Sequence, residues 1–566
     1  MNEPPSQFEL PIGPIRPIRL IALLAAGLFV LAFAVFANSL GHDLVWDDVP
    51  IIRENSFLVS PGAWWRCFGR DFGLEIIRQP AGYYRPAVFL SIVLNHALGG
   101  AAPFGYHLFN VALHGINVVL LFLLLTRLAG RRMAALGAAM FAVHPVHTES
   151  VAFVSGRSDL LCAGFLVLTL LAMVRSFEDR RARRAAWSAA SLAAYIAALL
   201  SKELAVVLPG FLLAYGLIQR YRLRSLMRLS APTALMALVY LGFRALFFPM
   251  GGYGHPFGAP EGSVVARAAR LVFLYAAQQV FPVIPTLGAD ALTRRAWVDA
   301  VAVVLLVVLL AAARPRRRAA VAAVWAALFL APTLWVNLFK GIELSDRFAY
   351  VPSIGVCALA AMVASRYWDR LPISRFAVLL AAVAFALLST SYSGMWRNSV
   401  SFWKASATYH PRCGRSYYNL GNALWQAGDR TAAVRALYQA ARLLPDEERR
   451  CWAYSKLADI LAESGEDEMA IAACRAAIQL RPERAPVRRL LASLLSDQGK
   501  HAEAIVELGV AERILPDDPA IQMDLAREYL AATPPQRERA RQCYQRARQL
   551  GAASDEAFEK TLNAER

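Results

Sequence analysis

The feature that most constrains this chain is a series of long apolar runs separated by short Arg-rich intervals, all lying before about residue 395. A helix needs about 20 apolar residues to cross about 30 Å of hydrocarbon, somewhat fewer where Lys or Arg stems snorkel. That criterion yields eleven spans, at 18–40, 104–128, 133–147, 157–175, 185–200, 203–219, 229–248, 297–313, 319–338, 349–366 and 376–394. With 57% hydrophobic and 18% charged residues, a soluble enzyme of 566 residues is excluded and a membrane protein is indicated.

Charge fixes the orientation. From Ser399 onward 24 Lys and Arg face 23 Asp and Glu, so nearly all of the net +18 sits in the apolar part. There it collects at Arg16/Arg19, Arg127/Arg131/Arg132, Arg175 to Arg184, Arg220 to Arg228, Arg314 to Arg318 and Arg366/Arg370/Arg375. One topology places all six clusters inside, which makes the excess a positive-inside signal and argues against a nucleic-acid partner. Under it the loop 41–85 and everything after the last span lie outside. The stretch Val264 to Thr286 and the short run Pro86 to Leu98 then read as interfacial or re-entrant on the outer side. A cleaved signal peptide ending near Ala37 is the alternative for the first span. The seven cysteines show no CxxC; Cys162 and Cys357 sit in apolar runs, while Cys67, Cys413, Cys451, Cys474 and Cys543 have the option of pairing if exported. Arg outnumbers Lys 54 to 6, a bias expected of a GC-rich bacterial genome.

After Trp396 the pattern changes to a repeat. Pro445, Pro482 and Pro516 recur in register with Leu420/Leu457/Leu491, Gly428/Gly465/Gly499, Ala433/Ala470/Ala504 and Ala440/Ala477/Ala511. Small residues let paired helices approach, Gly makes the turn and Pro ends the second helix, which is the tetratricopeptide pattern. A degenerate fourth copy carries Leu525, Tyr529, Ala540, Tyr544 and Ala547. The chain therefore divides into a membrane domain, 1–398, and an outer repeat domain, 399–566, whose concave face suits an extended peptide. A spacer or dimerisation role is the plainer use of such a module.

Ionisable residues near the spans carry the candidate chemistry. Asp47 and Asp48 follow the first span beside Trp46, where one carboxylate of the pair can serve as a base. Arg85, in YYRP, is placed to grip a phosphate or to anchor in headgroups. The outer loop HPVHTESVAFVSGRSDLL concentrates His144, His147, Glu149, Arg157 and Asp159. A metal at His144, His147 and Glu149 is the minor reading, because Pro145 breaks the helical spacing that would converge the two rings. Lys202 and Glu203 interrupt an apolar stretch, and Asp346 and Arg347 precede another; buried ion pairing is the plain account of both. No Walker loop, GxGxxG, GxSxG or HExxH occurs.

Taken in order, WDD, YRP, HPVHTE with GRSDLL, SKE, SDRFAYVPSIG and the C-terminal repeats resemble the transmembrane and tetratricopeptide-repeat-containing O-mannosyltransferases of the GT-C superfamily. The resemblance implies an all-α polytopic bundle of GT-C type followed by a repeat solenoid. It implies transfer of mannose or a similar hexose from a polyprenyl-phosphate donor to a hydroxyl of an outer acceptor, Ser or Thr of a protein. Asp346-Arg347 departs from the Glu-Arg usual in the family, and the repeat array is short. The roles that follow are Asp47 or Asp48 as base, Arg85 and Arg347 with Lys202 at the donor phosphate, and His144, His147 and Glu149 orienting acceptor or base. Arg157, Asp159, Glu203 and Asp346 are supports. No cofactor or metal is required. The setting is a bacterial plasma membrane, or the endoplasmic reticulum if the chain is eukaryotic. A lipid or glycan acceptor, and a membrane-anchored scaffold without activity, are the alternatives. A transporter is disfavoured because no related halves appear.

Overall fold

The computed structural model describes residues 18–72, 82–179, 181–248, 263–280, 282, 296–340 and 345–564. Arg16 and the end of the 264–286 stretch lie outside them. The described residues are helical with no strand, and they form two compact units, Met1–Ala405 and Ser406–Arg566.

Among the described residues of the first unit seven helices are long and apolar enough to cross a membrane: Arg19–Gly41, Pro103–Ala129, Val154–Glu178, Leu223–Phe247, Arg316–Trp335, Asp346–Tyr367 and Pro372–Met395. The chain is thus a membrane protein, but four of the eleven expected spans do not meet the criterion. Arg131–Val143 has 13 residues, about 20 Å of helix. Leu208–Ile218 has 11 because Glu203–Val207 winds as a 3-10 turn before it. Ala296–Ala312 stops at 17, and Arg181–Leu199 begins on a row of arginines. Summed hydropathy could not see these breaks, since the helices stop and restart around Gly130 and Lys202 without ending apolar sequence.

Packing is tight where small residues face each other. A Cβ on Gly355 would meet the Ala322 carbonyl at 2.2 Å, so helices Arg316–Lys340 and Tyr350–Tyr367 touch backbone to backbone. Trp325 caps that contact by donating from Nε1 to the Val351 carbonyl, 2.8 Å. The short helix Pro86–Gly99 buries Val88, Phe89 and Ile92 against Ile51, Ile52, Phe57 and Val154, tying the first loop to the bundle.

The stretch from His144 is not an open loop. Residues 144–160 are buried throughout, wound as the turns Pro145–His147, Thr148–Ala152 and Val154–Gly156. Gly156 makes this possible: a Cβ there would lie 2.7 Å from the Ser150 backbone. All seven cysteines are free.

The second unit is the expected solenoid. Helix pairs Gly414–Gln426/Arg430–Leu443, Glu447–Glu463/Asp467–Leu480, Ala485–Asp497/His501–Ile514 and Pro519–Ala531/Arg537–Gln549 follow one another, then Glu556–Asn563. Gly428, Gly465 and Gly499 turn at φ +84°, +73° and +73°, left-handed values that disfavour a side chain. Ala433, Ala470, Ala504, Ala440, Ala477 and Ala511 are fully buried where the helices meet.

Candidate functional site

The first helix, Ile18–Phe36, runs into a 3-10 turn, Ala37–Gly41, and the chain then doubles back through Trp46, Asp47 and Asp48. Trp46 has φ 56°, a strained value for a bulky residue. Aromatic packing holds it there. Its ring stacks on Phe153 and Phe402, each with centroids 5.9 Å away, and meets Trp403 edge-on at 5.6 Å. Trp396 completes the cluster, 5.0 Å from Phe153 and 4.4 Å from Phe402.

The two carboxylates that follow have different surroundings. Asp48 is 1% exposed. It accepts from the Val154 amide (3.0 Å), the Ser155 amide (2.8 Å) and the Ser155 hydroxyl (2.6 Å). Burial pushes its carboxyl up to about 7, opposed by the bonds from Ser155 and Val154. Asp47 is only half-buried. The structure thus makes Asp48 the clamp that pins this loop to the turn before Arg157, and leaves Asp47 the more accessible of the pair.

Beside this loop lie four ion pairs, two of them sharing Glu203. Arg85 reaches Glu203, with Nη2 to Oε2 at 2.9 Å and Nε to the same oxygen at 3.2 Å. Arg244 approaches the other Glu203 oxygen at 3.5 Å and donates to the Gly82 carbonyl at 2.8 Å. Lys202 pairs with Asp159 at 2.5 Å, both buried. Arg347 pairs with Glu149 at 3.6 Å, and Glu149 also accepts from the Arg347 amide and the Ser345 hydroxyl.

These pairs form one neighbourhood. The Phe348 ring carries Lys202 at 5.0 Å and Arg347 at 5.5 Å, and Lys202 lies within electrostatic reach of Arg85 and Arg347. Phe153 connects it to the first loop, since Trp46 stacks on that ring and the Arg347 guanidinium sits 5.6 Å from its centre. Arg347, Arg85 and Glu203 keep 23%, 18% and 21% of their side-chain surface exposed, so a ligand can reach them.

The remaining expected residues sit behind these. His144 binds the Gln279 carbonyl at 2.9 Å and takes the Val146 amide on its other nitrogen. His147 contacts the Ser353 hydroxyl at 2.8 Å. Among the described residues no three His, Cys, Asp or Glu side chains converge as a metal site. Arg157 does not pair with Asp159. Its guanidinium is fully buried and donates to Asn110, Ser91 and the Tyr106 carbonyl. Asp346 accepts from Gln278 at 2.8 Å. Sequence reasoning missed Arg244, although an Arg inside the apolar run 229–248 was a usable signal. It also missed Ser155 and the aromatic cluster, which no local pattern reveals.

Residues 80–247 match the family model described as dolichyl-phosphate-mannose-protein mannosyltransferase, a segment that holds Arg85, Glu149, Lys202 and Glu203 but begins after Asp47. Residues 414–447 and 453–484 match the tetratricopeptide repeat model. Protein O-mannosyl-transferase TMTC4 of Homo sapiens is 25% identical over 474 residues, 71% of this chain and 64% of that protein. Protein O-mannosyl-transferase Tmtc1 of Drosophila melanogaster is 37% identical over 186 residues, 32% of this chain and 21% of that one. The chain therefore spans less than two thirds of these relatives. Its likeness to transmembrane, tetratricopeptide-bearing mannosyltransferases, expected from the motifs, is borne out.

Proposed function

We propose that this chain is an inverting glycosyltransferase that moves mannose, or a similar hexose, from a polyprenyl phosphate to a Ser or Thr hydroxyl of an outer protein. The reading rests above all on one observation: accessible Asp47 sits between a stacked Trp46 and a clamped Asp48, one ring away from Arg347. The matched family model and the names of the relatives support the reaction class.

A sugar on a polyprenyl phosphate stays at the membrane surface, so the base has to be brought there. The loop after the first span does this. Asp47 takes the proton of the acceptor hydroxyl as its oxygen attacks the anomeric carbon from the face opposite the phosphate. The bond to the phosphate oxygen breaks, its electron pair leaves with the lipid phosphate, and the configuration inverts. The leaving group is already anionic. Arg85, Arg347 and Lys202 neutralise the charge it gains, with guanidinium forks suited to phosphate oxygens. Their carboxylate partners hold these cations in place before the donor arrives. No step requires a metal. His144, His147 and Glu149 support the wall that carries Arg347.

The repeat unit takes the acceptor peptide, on the outer face of a bacterial plasma membrane. Transfer of labelled mannose from undecaprenyl phosphate mannose to a Ser/Thr-rich peptide by the purified chain tests the proposal. Asp47→Asn is expected to cut transfer to a trace rate, still readable in long incubations, while leaving yield and elution unchanged; full activity in that variant rejects Asp47 as the base.

A further inference from the structure

We infer that Trp46 is a positioning residue for Asp47: its ring, locked in the aromatic cluster, forces the backbone into the turn that aims the carboxylate. This rests on the proposal that Asp47 is the base. No motif requires it, since a WDD string does not disclose what the tryptophan touches.

The argument starts from strain. Bulky side chains avoid φ near +56°, and such a conformation persists only where the surroundings over-determine it. Here they do. Phe153 and Phe402 lie nearly parallel to the Trp46 ring, at 20° and 26°, and Trp403 closes the edge. Phe153, Phe402, Trp396 and Trp403 are all buried, so this wall does not move with solvent. A Gly or Asn would adopt the same φ at less cost, yet would hold nothing in place. On the other side of Asp47 the Asp48 clamp fixes the chain to the Ser155 turn. Asp47 is thus strung between two anchors of different chemistry, one apolar and one hydrogen-bonded.

The loop's own bonds depend on that geometry. The Val49 amide donates to the Trp46 carbonyl at 3.2 Å and the Ile51 amide to the Asp47 carbonyl at 3.3 Å. Losing the ring frees Trp46 to return to negative φ, which swings both carbonyls and the Asp47 side chain together. A misplacement of about 1 Å in a reacting group costs about 100-fold in rate.

The test combines an activity-free readout with kinetics, on the full chain in detergent. Hydrogen exchange at the amides of Asp48, Val49 and Ile51 is expected to quicken about ten-fold in Trp46→Ala and to stay unchanged in Trp46→Phe, which keeps a ring. In the mannosyl transfer assay Trp46→Ala is expected to lower kcat about 100-fold with little change in KM, and Trp46→Phe to recover most of it. In the Asp47→Asn background Trp46→Ala is expected to add no further loss. Unchanged exchange, an unchanged kcat, or an additive loss in the double variant would overturn the inference. An inactive Asp47→Asn with a fully active Trp46→Ala rejects this inference alone, whereas an active Asp47→Asn rejects the base assignment beneath it.

Discussion

Lys202 and Asp159 offer a test of whether the site's cations are structural, functional or both. Their side chains are 9% and 1% exposed and 2.5 Å apart. At that separation Coulomb attraction is about 7 kcal/mol for an effective dielectric constant of about 20. Desolvating each ion costs several kcal/mol, so the intact pair is close to neutral for stability. Removing one partner is different, because the other stays buried and uncompensated, at a cost of about 3–5 kcal/mol. The surroundings make the two single variants unequal. Asp159 also feels Arg85, which softens Lys202→Met, whereas Asp159→Asn leaves Lys202 facing the like charges of Arg85 and Arg347. Reversible SDS unfolding in mixed micelles should therefore rank Asp159→Asn as the less stable. The double variant Lys202→Met with Asp159→Asn should recover most of the loss. If Lys202 also holds the donor phosphate, the double variant is stable but turns over poorly. Single variants within about 1 kcal/mol of the parent, or a double variant as unstable as the sum of its parts, would refute the reasoning.

Other perturbations read other parts of the account. Asp48→Ala strands two backbone amides and the Ser155 hydroxyl, a loss of about 3–9 kcal/mol at about 1–3 for each unmet group; Asp48→Asn, which keeps one acceptor oxygen, should cost less in the same unfolding assay. Gly355→Val should block assembly of helices Arg316–Lys340 and Tyr350–Tyr367, since its Cβ would overlap the Ala322 carbonyl, and fluorescence-detected gel filtration should show aggregated protein. In the repeat unit Asp555 caps the last helix, and the Phe558 amide, then Arg527, hold its carboxyl below the ordinary 3.8. A carboxyl lowered on folding stabilises above its unfolded pKa and stops doing so as pH falls through the folded value. The stability gap between parent and Asp555→Asn should accordingly close in denaturant titrations below about pH 4.

The repeat unit was almost fully legible in sequence because its contacts are local: Gly428, Gly465 and Gly499 turn where the spacing put them, and the paired alanines are buried as expected. Membrane composition and the general order of helices were legible too, since each long span is its own hydrophobic signal. The span count was not, because helices break within apolar sequence, as around Lys202, whose partner Asp159 lies 43 positions away in the chain. The site was half legible. Ionisable residues in apolar surroundings singled out Arg85, Glu149, Lys202, Glu203 and Arg347, which the structure gathers in one neighbourhood, yet their pairing is long-range and no spacing encodes it. Lys202 and Glu203, adjacent in sequence, pair instead with the distant Asp159 and Arg85, and Arg347 pairs with Glu149. Ser155, Phe153 and Trp403 matter only because three distant segments meet, which is information held by the fold alone.

The most direct check on the account is the stereochemistry of the product. With undecaprenyl phosphate mannose as donor and a Ser/Thr peptide as acceptor, NMR of the glycopeptide reports its anomeric configuration. A single displacement assisted by Asp47 predicts the configuration opposite to that of the donor. Retention of configuration, or transfer unaffected by Asp47→Asn, would contradict it.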